Sequence, residues 1–385
     1  MRLLSTGVTS MVDLRAPALA EAKVPISTRT ETRPATAAEG SADRFVSGRS
    51  PLEHRPASPD DGGMRPRVAG PPVSPRPQPR RRRVRRAIGV PLFVVAGLVA
   101  VAAAWAGVTF RRQIESYLTH WQGSPTSTEP YEAYPDPPNI HLAVAGDTGA
   151  RGSRLHQTGA AMAELDGQDD YDALLLLGDN VYPSGDPAYL QATVFEPFAG
   201  VLDGATELLA ILGNHDVKNG NGREQMRALG MPGHWWSSRI GDVQIVGIDS
   251  NDIGNPEQRA FLEDELRATD ATWKIILVHH PPYSAGYQGS SADTREVVAP
   301  IASTYGVQLV LSGHDHDYQR SKVLDGVTYV VTGGASATRR TGKDSFTAES
   351  FSWHHFVDIA IFDDRLVLRA VNQDLRVADE VTIAP

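Results

Sequence analysis

The sequence predicts a four-layer α/β/β/α sandwich of two packed mixed sheets, preceded by a disordered tail and one transmembrane helix. Three observations carry that reading. From Asn139 onward, short and nearly continuous apolar runs alternate with amphipathic stretches, as in sheets covered on both faces by helices. From Thr328 the helical period disappears, leaving short strands separated by turns. Ahead of both, an uncharged run from Ala87 to Phe110 follows an arginine cluster.

The elements follow in chain order. Residues 1–79 are rich in Pro, Ala, Arg, Ser and Gly and show no sustained apolar period. Such a segment cannot bury enough surface to offset its ordering entropy, so it is expected to be a disordered cytoplasmic tail. Its opening residues are too short and polar a stretch for a secretion signal. The run 87–110 can cross a hydrocarbon core of ~30 Å as a helix. Arg80-Arg81-Arg82-Arg83-Val84-Arg85-Arg86 precedes it, and only Arg111 and Arg112 follow closely. The positive-inside rule then puts the N-terminus in the cytoplasm and the rest outside. Ala104-Trp105-Ala106 is a small-x-small pattern, so cleavage and secretion stand as the alternative to a signal-anchor. Residues 113–138, polar and Pro-rich, read as a stalk, and 139–385 as the catalytic domain.

Within that domain, strands are expected at Ile140–Ala145, Ala173–Leu177, Leu208–Leu212, Val243–Ile248, Trp273–Val278 and Val307–Leu311. Helices are expected at Leu155–Leu165, Pro187–Leu202, Pro256–Ala268 and Thr294–Tyr305. The tail supplies strands Thr328–Val331, Phe356–Phe362, Arg365–Val371 and Glu380–Ile383, with Asp363-Asp364 as a hairpin turn.

Composition narrows the function. The 385 residues contain no cysteine, which excludes disulfides, thiolate nucleophiles and cysteine zinc sites. The net charge of −9 is unevenly spread: residues 1–138 hold 19 basic and 12 acidic side chains, while 139–385 hold 18 and 34. An acidic domain argues against nucleic-acid binding, which rests on neutralising phosphates.

Five polar blocks punctuate the domain, each at the end of a predicted strand: Gly146-Asp147-Thr148-Gly149, Gly178-Asp179-Asn180-Val181-Tyr182, Gly213-Asn214-His215-Asp216, Val278-His279-His280-Pro281 and Gly313-His314-Asp315-His316. Loops at strand ends gather into sites in α/β sheets. Two metal ions ~3.5–4 Å apart can clamp a phosphoryl group, and they need a bridging carboxylate. Asp179, just after a strand, suits that role. Asp147 offers a second anion and Asn214 a neutral oxygen. If the last block stays extended, His314 and His316 share one face, and imidazole suits Zn, Fe and similar ions.

In this order the blocks resemble those of the calcineurin-like metallophosphoesterase superfamily, specifically its purple acid phosphatase (tartrate-resistant acid phosphatase-like) branch. The resemblance covers about residues 139–340. Tyr182, three residues after Asp179, is the discriminating feature, because that branch uses a tyrosine there as a ligand to Fe(III). The resemblance implies Asp147, Asp179, Tyr182 and His316 around a ferric ion. It implies Asp179, Asn214, His279 and His314 around a divalent Fe, Zn or Mn ion. Pro281, two residues after His279, matches the family pattern and makes His279 rather than His280 the ligand. His280 is then a rim residue that contacts substrate.

The activity implied is that of an acid phosphatase, hydrolysing phosphate monoesters by attack of a metal-bound hydroxide. Asn214, His215, His280 and Gln288 would contact substrate. His215 would bind phosphate or protonate the leaving group, with Asp216 orienting it. Gln288 is a departure: it stands where related enzymes carry another histidine, and an amide cannot be a general acid. Tyr287 and His280 are the candidates to take over that role. The Gly333-Gly334-Ala335 loop reads equally as a close approach to substrate or a plain turn. Two alternatives stay open: a phosphodiesterase or nucleotide hydrolase on the same core, and a non-catalytic phosphate-binding envelope protein.

Overall fold

The computed structural model describes residues 123–385. The tail, the apolar run 87–110 and the start of the stalk lie outside the described residues. Among the described residues no helix is long and apolar enough to cross a membrane.

Two seven-stranded sheets form the centre. In the first, β1 (Glu129–Pro130), β14 (Arg376–Ile383), β13 (Leu366–Asn372), β12 (His355–Ile361), β2 (Ile140–Ala145), β3 (Ala173–Leu176) and β4 (Glu207–Ala210) lie side by side. The second runs β11 (Thr347–Phe351), β9 (Tyr318–Ser321), β10 (Thr328–Thr332), β8 (Leu309–Ser312), β7 (Trp273–Val278), β6 (Val243–Ile248) and β5 (Trp236–Ile240). Strands β2, β3 and β4 are parallel, as are β6, β7, β8 and β10. The C-terminal strands add antiparallel to β2. Both sheets are therefore mixed, as the sequence predicts.

Alternation along each strand explains the layering. Leu142 and Val144 of β2 enter the core between the sheets with Leu175, Ile211, Ile245, Ile275, Leu277, Leu309 and Ile359. Ala143 and Ala145 face the other way, onto Leu155, Met162 and Leu165 of α1 (Ser153–Asp166). On the second sheet, Val246, Ile276 and Val310 meet Leu262 and Leu266 of α3 (Pro256–Ala268) and Val298 and Ile301 of α4 (Ala292–Thr304). The short helix α2 (Gly222–Ala228) lies between β4 and β5 in sequence. Asn255 and Ser291 cap α3 and α4 by accepting backbone N–H bonds.

Two expectations change. The helix expected over Pro187–Leu202 is replaced by a single 3₁₀ turn at Pro187–Tyr189, a wide turn at Gln191–Phe195 and further turns to Leu202. Pro197 has no N–H to continue a helix, and its carbonyl packs where a Cβ on Gly159 of α1 would sit. The segment read as a stalk joins the domain from Glu129 on. There β1 pairs with β14, and Tyr131 and Tyr134 reach the buried Asp358.

Asp358, in the middle of β12 and paired with Ala143 of β2, is a second hub. Its carboxylate accepts from Tyr134 at 2.8 Å, Tyr171 at 2.9 Å and His141 Nε2 at 2.7 Å. Burial alone would lower the His141 pKa, but the hydrogen bond and charge of Asp358 outweigh it and raise it. A raised folded pKa contributes stability that is present below the ordinary histidine value of about 6.5 and lost as pH rises through the folded value. His141→Gln is therefore expected to lower Tm by several degrees near pH ~5, at about 2–4 °C per kcal/mol. It should also flatten the fall in Tm toward pH ~8. Parallel Tm–pH curves for the two proteins would exclude this role for the pair.

Candidate metal centre

All five polar blocks lie at C-terminal strand ends: Asp147 after β2, Asp179 after β3, Asn214 after β4, His279 after β7, and His314 and His316 after β8. Three of these residues turn the chain through left-handed backbone, with φ of 57° at Asp147, 52° at Asp179 and 70° at His314. Such conformations cost on the order of 1–3 kcal/mol each for non-glycine residues and cluster at functional sites.

The loops brace one another. Asp147 N–H donates to Gly178 O at 3.1 Å and Gly149 N–H to Asp179 O at 2.9 Å. His215 N–H donates to Asp179 Oδ1 and His314 N–H to Asp147 Oδ2, both at 2.8 Å. Glycine is required where ligands cross the backbone. A Cβ at Gly213 would sit 2.2 Å from Asp179 Oδ1, and one at Gly313 2.7 Å from Asp147 Oδ2. Gly333 serves the same purpose, since its Cβ would meet Asp147 Oδ2 at 2.5 Å. That loop closes on a ligand.

On one side of the site, the Tyr182 hydroxyl donates to Asp147 Oδ1 at 2.8 Å and lies 2.8 Å from His316 Nε2, which is 3.3 Å from the same Asp147 oxygen. On the other, His279 Nε2 lies 3.5 Å from Asp179 Oδ1 and 3.2 Å from Asn214 Oδ1. The His279 ring is oriented by Nδ1–H donating to Leu177 O at 2.8 Å, which leaves Nε2 free to ligate. Ligand atoms of Asp147, Asp179 and His279 converge within 4.8 Å, as do those of His279, His280 and His314. His279 thus links the carboxylates to the histidine side.

These separations suit metal ligation. Ligands ~2.0–2.1 Å from an ion in octahedral geometry lie about 3 Å apart, which is the spacing around Tyr182. The protonation states suit it as well. Burial and then the neighbouring His279 push His314 down to about 3 and His280 down to about 4, so both rings are neutral. Burial and the Asp147 and Asp179 charges push the Tyr182 phenol well above its ordinary range. Ligation as phenolate therefore has to displace a proton.

All seven sequence-predicted ligands are brought together, but their neighbours behave differently. The His314–His316 stretch is not extended. His314 is left-handed, and Asp315 turns away to bind Ser284 Oγ, Gln288 N–H and Gly289 N–H. The two imidazoles reach different neighbours because of that turn. Asp216 does not orient His215. Its oxygens accept from Gly213, Asn180 and Val181 N–H and from the Gln225 amide, which clamps the second and third loops. His215 is oriented by Pro183 O, 2.7 Å from Nδ1. Gln288 meets the metal loop through its backbone, and its side chain is exposed. His280 sits on the rim, with Nδ1 2.7 Å from Ser250 Oγ and its ring 4.5 Å from that of His314. His354 and His355 bond Gly334 O and Thr332 Oγ1, apart from the ligand set.

Sequence reasoning missed Ser250 and Lys218. Ser250 follows β6 closely, so the strand-end rule that found the other blocks also marks Ile248-Asp249-Ser250. Lys218 lies three residues after His215, with its Nζ 3.0 Å from Nδ1 and 3.2 Å from Nε2. No spacing rule points to it.

Comparison with known proteins agrees with this geometry. Residues 140–318 match the family described as calcineurin-like phosphoesterase. The chain is similar to purple acid phosphatase 3 of Arabidopsis thaliana, at 25% identity over 54% of this chain and 66% of that protein. It is similar to purple acid phosphatase 17 of the same plant, at 26% over 52% and 69%. The solved purple acid phosphatase PPD1 from yellow lupin seeds shares the fold, with TM-score 0.54 and 22% identity over 64% of this chain and 53% of that one. The fold, the clustered side chains and the relatives alike resemble dinuclear-metal phosphoesterases of the purple acid phosphatase type.

Gly213→Ala should leave the far-UV circular dichroism unchanged but weaken metal binding by about 10–100-fold, the usual effect of disturbing a ligand's support. Metal content after dialysis against a weak chelator reads this. Wild-type retention in the variant would show that Gly213 does not constrain Asp179.

Proposed function

We propose that the domain is an acid phosphatase that hydrolyses phosphate monoesters with one ferric and one divalent ion. The observation that carries this is the convergence of Asp147, Asp179, Tyr182, Asn214, His279, His314 and His316 in one site. Two carboxylates and a phenolate against a trivalent and a divalent ion leave a net charge of about +2, which complements a monoester dianion better than a diester monoanion. When bound, the ions hold phosphate oxygens and lower the pKa of water. Asn214 and His215 contact the phosphate, and Pro183 O holds His215 so that Nε2 faces the Asp179 side, 4.0 Å from Oδ2. His280, neutral and held by Ser250, lines the rim.

The purified protein is expected to bind two metal ions and to show a visible charge-transfer band. Tyr182→Phe should abolish the band and lower kcat/KM. A colourless wild type with no iron but full activity would overturn the ferric assignment. With a monoester and a diester of one leaving group, the monoester should react faster. The reverse order favours a phosphodiesterase.

Residues 87–110 are proposed as a membrane anchor with the N-terminus cytoplasmic and the domain outside. The uncharged run and the Arg80–Arg86 cluster support this. Protease added to intact expressing cells should then remove the domain and spare an N-terminal tag. Complete protection of the domain, or its release into the medium, would contradict anchoring in this orientation.

A further inference from the structure

We infer that Lys218 is a catalytic residue on the leaving-group side of the site, stabilising the departing oxygen where Gln288 offers no acid. This rests on the phosphomonoesterase reading above. The geometry begins with His215. Its Nδ1 lies 2.7 Å from Pro183 O, and a carbonyl only accepts, so Nδ1 carries the hydrogen and Nε2 is the open nitrogen. Nε2 lies on the Asp179 side, 4.0 Å from Oδ2. An ammonium has donors and no acceptor, so Lys218 Nζ can donate only to Nε2, 3.2 Å away. The amine stands 3.0 Å from Nδ1 and 3.2 Å from Nε2, the ring nitrogen on the Asp179 side.

Two features separate this from a solvated surface lysine. Among the described residues Lys218 forms no ion pair with a carboxylate. It is also held near the ring by the local turn, since Lys218 N–H donates to His215 O at 3.3 Å and opens the short 3₁₀ helix Lys218–Gly220. Its side chain is exposed, so it can swing onto a substrate oxygen. Gln288, by contrast, is engaged through its backbone on the far side of Asp315.

In the proposed step, a water oxygen forms a bond to phosphorus and gives one of its protons to solvent, while the bond to the leaving oxygen breaks, its electron pair staying on that oxygen. The Lys218 ammonium donates a hydrogen bond to the oxygen and then a proton, which it regains from solvent. One ester and one water become one alcohol and one inorganic phosphate, with no change in oxidation state.

The need for this help grows as the leaving group becomes a poorer one. The test uses the full chain in detergent with both metal ions bound, a 4-nitrophenyl monoester and an alkyl monoester. Lys218→Met should lower kcat on the alkyl ester by about 10²-fold and on the nitrophenyl ester by less than about 3-fold, with similar KM. Lys218→Arg, which keeps the charge but not the transferable proton, should recover part of the loss. Equal losses on both esters, or a change confined to KM, would overturn the inference while leaving the phosphatase reading intact. A metal-replete wild type inactive on both esters would overturn both.

Discussion

Two buried carboxylates set the terms for the rest of this domain. Asp147 and Asp179 are 0% and 2% exposed, and like charges in a low-dielectric site cannot persist without compensation. Backbone N–H groups of His215 and His314 supply some of it. His279 and His316 lie beside them, and cations held there would supply the rest. Each aspartate also sits in left-handed backbone, a strain that survives only because the surrounding strands and loops determine it. The site is thus expensive as bare protein and sensible as a metal cage.

That requirement explains features scattered along the chain. Gly213, Gly313 and Gly333 lie where ligand oxygens pass so close that no Cβ fits. Asp216 and Asp315, which look like site residues, spend their oxygens on N–H and O–H groups of neighbouring loops. They hold the loops so that ligands from two different sheets meet. The ligands from β2, β3 and β4 lie on one sheet and those from β7 and β8 on the other, so the packing between sheets is itself part of the metal geometry.

The middle of β12 is built around another buried carboxylate, with different partners. Asp358 is satisfied by a histidine and tyrosines, two of which come from the segment that precedes the first long strand. Arg369 lies over the Tyr134 ring at 4.0 Å. The segment ahead of β2 is therefore fastened first by β1 on Arg376 and Val377 and then by Tyr131 and Tyr134 on Asp358.

Sequence alone determined the elements whose signals are local. Apolar runs and period-3.6 stretches located most central strands and three of four expected helices, and the polar blocks pointed to Asp147, Asp179, Tyr182, Asn214, His279, His314 and His316, side chains that the structure gathers in one place. These were legible because strand-end loops impose short, rigid patterns of residue type. Strands β5, β9 and β11 carry polar residues such as Ser237, Gln319 and Glu349 and escaped notice, since those residues break the apolar run and pairing with β6, β10 and β9 fixes the strands. Tertiary structure alone decided that β12 lies against β2, that Asp216 faces the loops and not His215, and that Lys218 stands at the His215 ring. Each of these depends on where backbone donors and side chains from remote segments converge, and hydrogen-bond direction leaves no trace in residue order.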